Sequence, residues 1–150
     1  MAVLDRGRVL QVGAPQEIYR RPGCRMVADF IGETDFIVGT LVGGEGGRLL
    51  VDTALGRFEG VLGAGSAPPP GGSAVTLSIR PECWKLSRTP PVRNACLGRA
   101  VYLGEMAQYN LRAGDQELKV LELNPRFFER LDGDEVFVSA EPEDVVILVT

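Results

Sequence analysis

The spacing of apolar positions changes near residue 36, from a mixed N-terminal segment to a long stretch with period two. In the first segment, the apolar runs 2–4 and 9–12 flank the turn-forming sequence Asp5-Arg6-Gly7. Two short apolar runs joined by such a turn are typical of a β-hairpin. The chain is therefore predicted to open with a hairpin.

Two short helices are predicted between this hairpin and residue 32. Pro15 suits the first position of a helix, Glu17 suits its first turn, and Pro22 ends it. The second helix is predicted from one apolar stripe at helical period, made of Met26, Val27, Phe30 and Ile31. Gly32 follows this stripe and is expected to cap the second helix.

From residue 36 onward, short β-rich runs alternate with glycine-rich turns. The runs are 36–42, 48–52, 75–79, 97–103, 109–111, 118–123, 136–140 and 145–149. Segment 63–72 holds three consecutive prolines, which donate no ladder hydrogen bond, so it is predicted to be an exposed loop. Many short strands with such turns indicate a sandwich or a barrel.

An internal repeat runs through this β region at a constant offset of 61 residues. Each copy reads as a strand, a Pro-Glu corner and a second strand. The matched positions are Gly72, Val75, Leu77, Ser78, Pro81, Glu82, Trp84 and Leu86 against Gly133, Val136, Val138, Ser139, Pro142, Glu143, Val145 and Ile147. One copy has too few strands to close its own edges. We therefore predict a mainly β fold of two OB-like half-barrels, about 36–90 and 97–150, with shared or exchanged strands.

Composition and charge narrow the function classes. The 150 residues are 45 % hydrophobic and 24 % charged, which is typical of a globular protein, and no apolar stretch is long enough for a transmembrane helix. The net charge of −4 argues against a nucleic-acid partner. Residues 101–150 carry four basic and eleven acidic side chains. This acidic part is either an ordinary solvated surface or a docking surface for a basic partner.

The residues that could act in catalysis or ligand binding are better explained by structural roles. Histidine is absent, and no phosphate-binding loop or nucleophile elbow occurs, so only carboxylate chemistry remains. Asp132, Asp134 and Glu135 surround a glycine, as a turn between strands requires. The glycine-rich segment 43–47 lacks a lysine and a following helix, so it is interpreted as a hairpin connection. We predict no catalytic, cofactor-binding or metal-binding residue.

Cysteines and aromatic residues are interpreted as packing residues. Cys24, Cys83 and Cys96 are an odd number at wide spacing, without a C-x-x-C pair or a secretory leader, which indicates a reducing compartment. They are read as small buried hydrophobes. The scattered aromatic residues are interpreted as core rather than as a stacking platform, and they include Trp84, Tyr102, Tyr109, Phe127 and Phe128.

Ordered motifs along the chain carry a family resemblance. The first 32 residues resemble the stretch just beyond the catalytic core of bacterial ATP-binding-cassette (ABC) importer ATPases, through Asp5-Arg6-Gly7-Arg8-Val9, Gln11-Val12-Gly13, Pro15-x-Glu17-Ile18-Tyr19-x-x-Pro22 and Val27-Ala28-x-Phe30-Ile31-Gly32. The remainder resembles the transport-associated OB (TOBE) domain at the C-terminus of such ATPases, through Ile79-Arg80-Pro81-Glu82, Tyr102-Leu103-Gly104-Glu105, Gly133-Asp134-x-Val136 and Glu141-Pro142-Glu143-Asp144-Val145-Val146. The last fifty residues are most similar to the polyamine and ferric-iron branch. Asp35 departs from that branch, where many relatives have Asn.

The resemblance implies a division of the chain and a larger parent protein. Residues 1–35 would be the tail of an ATPase domain and residues 36–150 the TOBE-type domain, with Met1 lying inside a longer chain. The parent would bind ATP and magnesium outside this fragment, work as a homodimer with permease subunits, and sit at the cytoplasmic face of the membrane. Residues 1–32 would lose the cover of the catalytic domain over Tyr19, Met26, Phe30 and Ile31. They are therefore expected to be mobile or buried against another copy.

Two functions stay open for the fragment. The first is a regulatory, dimer-stabilising domain without ATPase activity. The second is a module that senses a small ligand, either an oxyanion or the transported solute, with Arg80 and Arg99 as candidate anion contacts. Further candidate ligand or interface positions are Glu82, Gly104, Glu105 and Glu143.

Overall fold

The computed structural model of the chain describes residues 1–87, 93–125 and 135–149. Within them the fold is mainly β, as predicted, with two short helices. The helices are α1 (Pro15–Arg20) and α2 (Arg25–Ile31). The strands are β1 (Ala2–Asp5), β2 (Arg8–Val12), β3 (Asp35–Glu45), β4 (Arg48–Thr53), β5 (Gly56–Leu62), β6 (Ala74–Ile79), β7 (Lys85–Ser87), β8 (Arg93–Tyr102), β9 (Met106–Ala113), β10 (Gln116–Leu123), β11 (Glu135–Ser139) and β12 (Val146–Leu148). Two 3-10 turns span Pro81–Cys83 and Pro142–Asp144.

The N-terminal hairpin and both helices form where the sequence predicts them. Strands β1 and β2 pair antiparallel, and Arg6 and Gly7 turn the chain with φ of 49° and 79°. Helix α1 begins at Pro15, and the Glu17 carboxylate accepts a hydrogen bond from the Ala14 N–H at 3.2 Å. This contact satisfies one of the free N–H groups at the helix start.

The predicted apolar stripe of α2 is only partly buried within the chain. Val27 and Ala28 are fully buried, whereas Met26 is 50 % and Phe30 is 76 % exposed. Ala28 packs with Phe36, Val146 and Leu148. The helix therefore presents the side that carries this small alanine to these residues. Gly32 follows the helix in an extended conformation, with φ of 178°, and not as a left-handed cap.

The chain forms two compact units. The first unit comprises Met1–Thr53, Arg57–Ile79 and Glu141–Thr150, and the second comprises Ala54–Gly56 and Arg80–Ala140. The hairpin and both helices therefore belong to the first unit. The functional division at residue 35 stays a prediction.

The first unit contains a closed barrel with the strand order β12-β5-β4-β3-β6. Strand β12 closes it by pairing parallel to β5 and antiparallel to β6. All three residues of β12 are buried, as are Ile37, Val51 and Leu77 inside the barrel. Ala28 of α2 packs with Val146 and Leu148, so one face of the N-terminal segment is covered within the chain.

Strand β5 was not among the predicted strands. It contains Gly56 and Gly60, which are poor strand formers and interrupt its β pattern. Gly60 packs so closely against strand β12 that a Cβ there would lie 2.6 Å from the Val145 carbonyl oxygen. Gly60 thus weakens the β pattern of this strand in the sequence, but the close packing against Val145 requires it.

The second unit contains a five-stranded sheet with the order β10-β9-β8-β11-β7. Its buried face carries Tyr109, Leu111, Leu118, Val120 and Val138, which are fully buried. The alternation along β9 is regular, with every second residue from Ala107 to Ala113 buried. This unit therefore has its own apolar core.

The two strand orders are the same once the repeat is taken into account. Because the barrel is closed, its order can be read starting at β5. It then runs β5-β4-β3-β6-β12, which corresponds strand by strand to β10-β9-β8-β11-β7. Each repeat copy places a strand, a 3-10 turn and a short strand at the predicted offset. The short strand of the first copy, β7, pairs with β11, and that of the second copy, β12, pairs with β6. The predicted exchange of strands is confirmed.

Candidate functional site

A cleft of about 570 Å³ opens at one end of the sheet in the second unit. Its lining residues are Tyr102, Gly104, Glu105, Asn124 and Pro125. They come from the turn between β8 and β9 and from the residues that follow β10. The two segments are joined by a backbone hydrogen bond from the Asn124 N–H to the Glu105 carbonyl oxygen, at 2.9 Å.

Two backbone conformations shape this cleft. The β8–β9 turn is closed by the Leu103 N–H, which donates to the Met106 carbonyl oxygen at 2.8 Å. Gly104 lies in this turn with φ of 87°, a conformation that side chains with a Cβ rarely adopt. Asn124 has φ of 51°, which is uncommon for any residue other than glycine. Both positions turn the chain sharply next to the cleft.

The cleft offers acceptor groups and an aromatic ring. Tyr102 is 61 % exposed, and Glu105 and Asn124 are also exposed. No lysine or arginine is among its described lining residues. Within the described part of the chain, the Glu105 carboxylate has neither a hydrogen-bond nor an ion-pair partner. Next to the cleft in sequence, Glu122 accepts a hydrogen bond from the buried Tyr109 hydroxyl at 3.1 Å.

The sequence-predicted site residues divide between this cleft and other places. Gly104 and Glu105 line it together. Arg80 is only 6 % exposed and precedes the first 3-10 turn, where Glu82 is exposed. Arg99 is exposed on β8, opposite Asn110 of β9. Glu143 belongs to the first unit and forms an ion pair with Arg48 at 3.0 Å.

Two of the cleft residues were missed from sequence, and one was misread. Asn124-Pro125 carries only the general signal of a turn-forming dipeptide. Tyr102 was interpreted as core, which is wrong because most of its surface is exposed. Trp84 and Tyr109 are buried as predicted. Phe127 and Phe128 lie outside the described residues.

The remaining candidates carry no site. Over residues 1–87, 93–125 and 135–149, no group of three or more Cys, Asp or Glu side chains could hold a metal ion. Asp132 and Asp134 lie outside the described residues, and Glu135 is exposed at the start of β11. Cys24 and Cys83 are free, half-buried thiols rather than fully buried ones. In the same part of the chain, neither helix has the length and apolar character needed to cross a bilayer.

One exposed ion pair shifts the pKa values of its partners. Arg57 donates two hydrogen bonds to the Asp52 carboxylate, from Nε at 2.7 Å and from Nη2 at 3.2 Å. These bonds, with a smaller contribution from charge attraction, hold the pKa of Asp52 below its usual value and raise the pKa of Arg57. The pair lies on β4 and β5 of the barrel.

Comparison with known proteins places the chain in a family. Residues 77–148 match the model of the TOBE domain. The spermidine/putrescine import ATP-binding protein PotA of Rubrobacter xylanophilus is 42 % identical over 117 residues, which cover 77 % of this chain and 31 % of that protein. PotA 1 of Pseudomonas aeruginosa is 44 % identical over 121 residues, covering 79 % and 32 %. PotA of Frankia alni is 35 % identical, covering 99 % and 35 %.

The fold also resembles a solved structure. The cytoplasmic molybdate-binding protein ModG, crystallised with molybdate, matches with a TM-score of 0.64 at 15 % identity, over 77 % of this chain and 96 % of that one. At this identity the likeness concerns the fold, and it confirms the OB-like architecture. The chain spans about a third of the length of the PotA relatives it matches.

These matches identify the family of the chain. Residues 77–148 hold the TOBE part that these importer ATP-binding proteins carry. The resemblance of its motifs, the barrel topology and the identity to the PotA proteins agree. Residues 77–148 are a TOBE domain, and the chain belongs to the family of ABC importer ATP-binding subunits that carry this domain at their C-terminal end.

Proposed function

We propose that this chain is the accessory, dimer-stabilising portion of the ATP-binding subunit of a polyamine importer. The observation that carries the proposal is the identity of 42 % and 44 % to spermidine/putrescine import ATP-binding proteins over more than three quarters of the chain. In this role the parent subunit binds ATP and magnesium, pairs with a second copy, and meets permease subunits at the cytoplasmic face of the membrane. The assignment to iron import stays a less supported alternative.

The exposed apolar surface of the first unit supports a role in protein contacts. Among the described residues, large exposed hydrophobic side chains concentrate in the first 30 positions. They are Met1, Leu4, Val9, Leu10, Val12, Met26 and Phe30. Many exposed apolar side chains within one short segment are typical of interaction sites. The N-terminal segment therefore suits a partner domain or a second copy.

Sedimentation velocity over a range of concentrations tests this proposal. We expect the chain to associate reversibly, and Phe30→Ser to weaken the association because Phe30 is 76 % exposed on α2. Leu123→Ser is the matched control, since Leu123 is 72 % exposed on the second unit. A chain that stays monomeric up to several hundred micromolar would contradict dimer stabilisation by this fragment. Equal weakening by both variants would contradict the role of the N-terminal segment.

A second candidate function is the sensing of a small solute. Two observations favour it: the cleft of the second unit and the fold likeness to a molybdate-binding protein. The ligand would be an oxyanion or the transported solute. Calorimetric titration with molybdate, sulfate, a ferric salt and spermidine tests this function, because it requires saturable heat with one of them. The absence of saturable heat with all four would leave the accessory role alone.

A further inference from the structure

We propose that Gln11 locks the N-terminal segment (residues 1–32) onto the barrel of the first unit. The lock acts through the connector between α1 and α2 (residues 21–24), and it makes the N-terminal segment and the closing strand β12 open together. The lock requires neither self-association nor a bound ligand, so it goes beyond both functions proposed above and is tested independently of them.

The side-chain amide of Gln11 holds the connector at two points. Its Nε2 donates to the Arg21 carbonyl oxygen at 3.1 Å, and its Oε1 accepts a hydrogen bond from the Gly23 N–H at 2.8 Å. The two bonds flank Pro22, which has no N–H of its own to donate. A carboxamide can donate and accept at once, whereas a carboxylate only accepts and a thioether does neither well. Because Gln11 lies on β2, this clasp ties the hairpin to the connector.

The connector is in turn fixed to the end of β5. Arg21 Nε donates to the carbonyl oxygen of the last residue of this strand at 2.8 Å. A Cβ on Gly23 would lie 2.7 Å from the Ala64 carbonyl oxygen. A Cβ on Gly63 would lie equally close, at 2.7 Å, to the Pro22 carbonyl oxygen. The two backbones therefore touch with no side chain between them, and neither can shift without disturbing the other.

The same end of β5 is bonded to β12, the strand that closes the barrel. The Gly63 N–H donates to the Ile147 carbonyl oxygen at 2.9 Å. Ala28 of α2 packs with Val146 and Leu148 of the same strand. The N-terminal segment thus reaches β12 by two routes, directly through α2 and indirectly through the connector and the end of β5. A displacement of the hairpin is therefore passed to the closing strand through packed and hydrogen-bonded groups.

Native-state amide exchange of the whole chain, followed by NMR, tests the lock. Gln11→Met keeps the length of the side chain but removes both hydrogen bonds, so the amides of Gly23, of α2 and of Gly63 should exchange about tenfold faster. Gln11→Glu keeps the acceptor for Gly23 and loses the donor, and it should give a smaller increase. Gln16→Met is the matched control, since Gln16 is exposed on α1, and it should change these rates by no more than about twofold.

A double-mutant cycle by urea unfolding separates the lock from a general loss of stability. The effects of Gln11→Met and Arg21→Gln should not add, because either substitution already frees the connector. Arg20→Gln is the control for the cycle, since Arg20 is exposed at the end of α1, and its effect should add to that of Gln11→Met.

Several results would overturn the proposal. If Gln11→Met speeds exchange at Gly23 and in α2 but leaves Gly63 unchanged, the connector opens without the barrel. If exchange rises equally in β9 and β10 of the second unit, Gln11 serves the stability of the whole chain and not this joint. Unchanged exchange in Gln11→Met, or additive effects with Arg21→Gln, would overturn the lock as well.

Discussion

The barrel of the first unit and the sheet of the second unit have the same strand order but different ends. In the first unit, Arg21 and Pro22 cover the end of β5, while in the second unit the residues after β10 line a cleft. The corresponding strand end is therefore covered in the first unit and accessible in the second. A duplicated fold can keep its topology while only one copy has an open strand end, because the segments that cover the strand ends differ between the copies.

Glycines serve two different purposes in this fold. In the barrel, Gly60 and Gly63 lie where a Cβ would come within 3 Å of neighbouring backbone oxygens, so they allow close packing. In the second unit, Gly104 and Gly114 have φ of 87° and 63° and open space around them, so they serve turns. Substitutions at the first pair should cost packing energy, and substitutions at the second pair should change loop conformation.

The largest expected loss of stability comes from a substitution on β12, the strand that closes the barrel. Ile147 is fully buried on β12 and pairs with Leu62 and Leu77. Ile147→Ala should lower the free energy of unfolding by about 2–5 kcal/mol through lost burial and a residual cavity. Val149→Ala is the control, because Val149 is 37 % exposed, and it should stay within about 0.5 kcal/mol of wild type. Urea unfolding measures both, and similar losses would contradict the closing role of β12.

The next effect tests the sealed end of the barrel. Gly63→Ala places a Cβ 2.7 Å from the Pro22 carbonyl oxygen and 3.3 Å from Leu148 Cδ2. It should destabilise the chain by about 1–3 kcal/mol, because the backbone must shift. At Gly13, a Cβ would meet only the flexible Glu17 carboxylate at 3.2 Å and Ile18 at 3.6 Å. If Gly13→Ala lowered the thermal midpoint as much as Gly63→Ala, the close packing of this end would be refuted.

A smaller effect concerns the core of the second unit. Tyr109 is fully buried, and its hydroxyl donates to Glu122 at 3.1 Å. Tyr109→Phe should lower the free energy of unfolding by about 0.5–1.5 kcal/mol. A double-mutant cycle with Glu122→Gln isolates the contribution of this bond. Strictly additive effects would indicate that the two side chains are not coupled.

The smallest effect is the pH dependence of the surface pair on the barrel. Because Arg57 holds the pKa of Asp52 below its usual value, the pair stabilises the folded state above the unfolded pKa of Asp52. That contribution is lost as the pH falls through the lower, folded pKa. In Arg57→Gln, the NMR titration midpoint of the Asp52 carboxyl should move up toward its ordinary value. An unchanged midpoint would mean that the hydrogen bonds are not formed in solution.

Local features of this fold could be predicted from the sequence alone. The Arg6-Gly7 turn, the start of α1 at Pro15 and the two Pro-Glu corners depend on backbone preferences of neighbouring residues, and all three occur where predicted. The repeat also predicted strand exchange, since neither copy could close its edges. Within the site, Gly104 and Glu105 were recognised through a motif resemblance and not through any local pattern.

Other features depend on contacts between residues that are far apart in the chain. Strand β5 was missed because Gly60 is a poor strand former, and only its fit against Val145 explains it. The side of α2 that packs within the chain was not predicted, because the contact of Ala28 with Val146 and Leu148 joins residues that are far apart in the sequence. The cleft likewise arises where the β8–β9 turn meets the end of β10, so its lining is set by strand register. The sequence by itself determined the elements and their repetition, and tertiary packing decided which faces are buried and which strand end stays open.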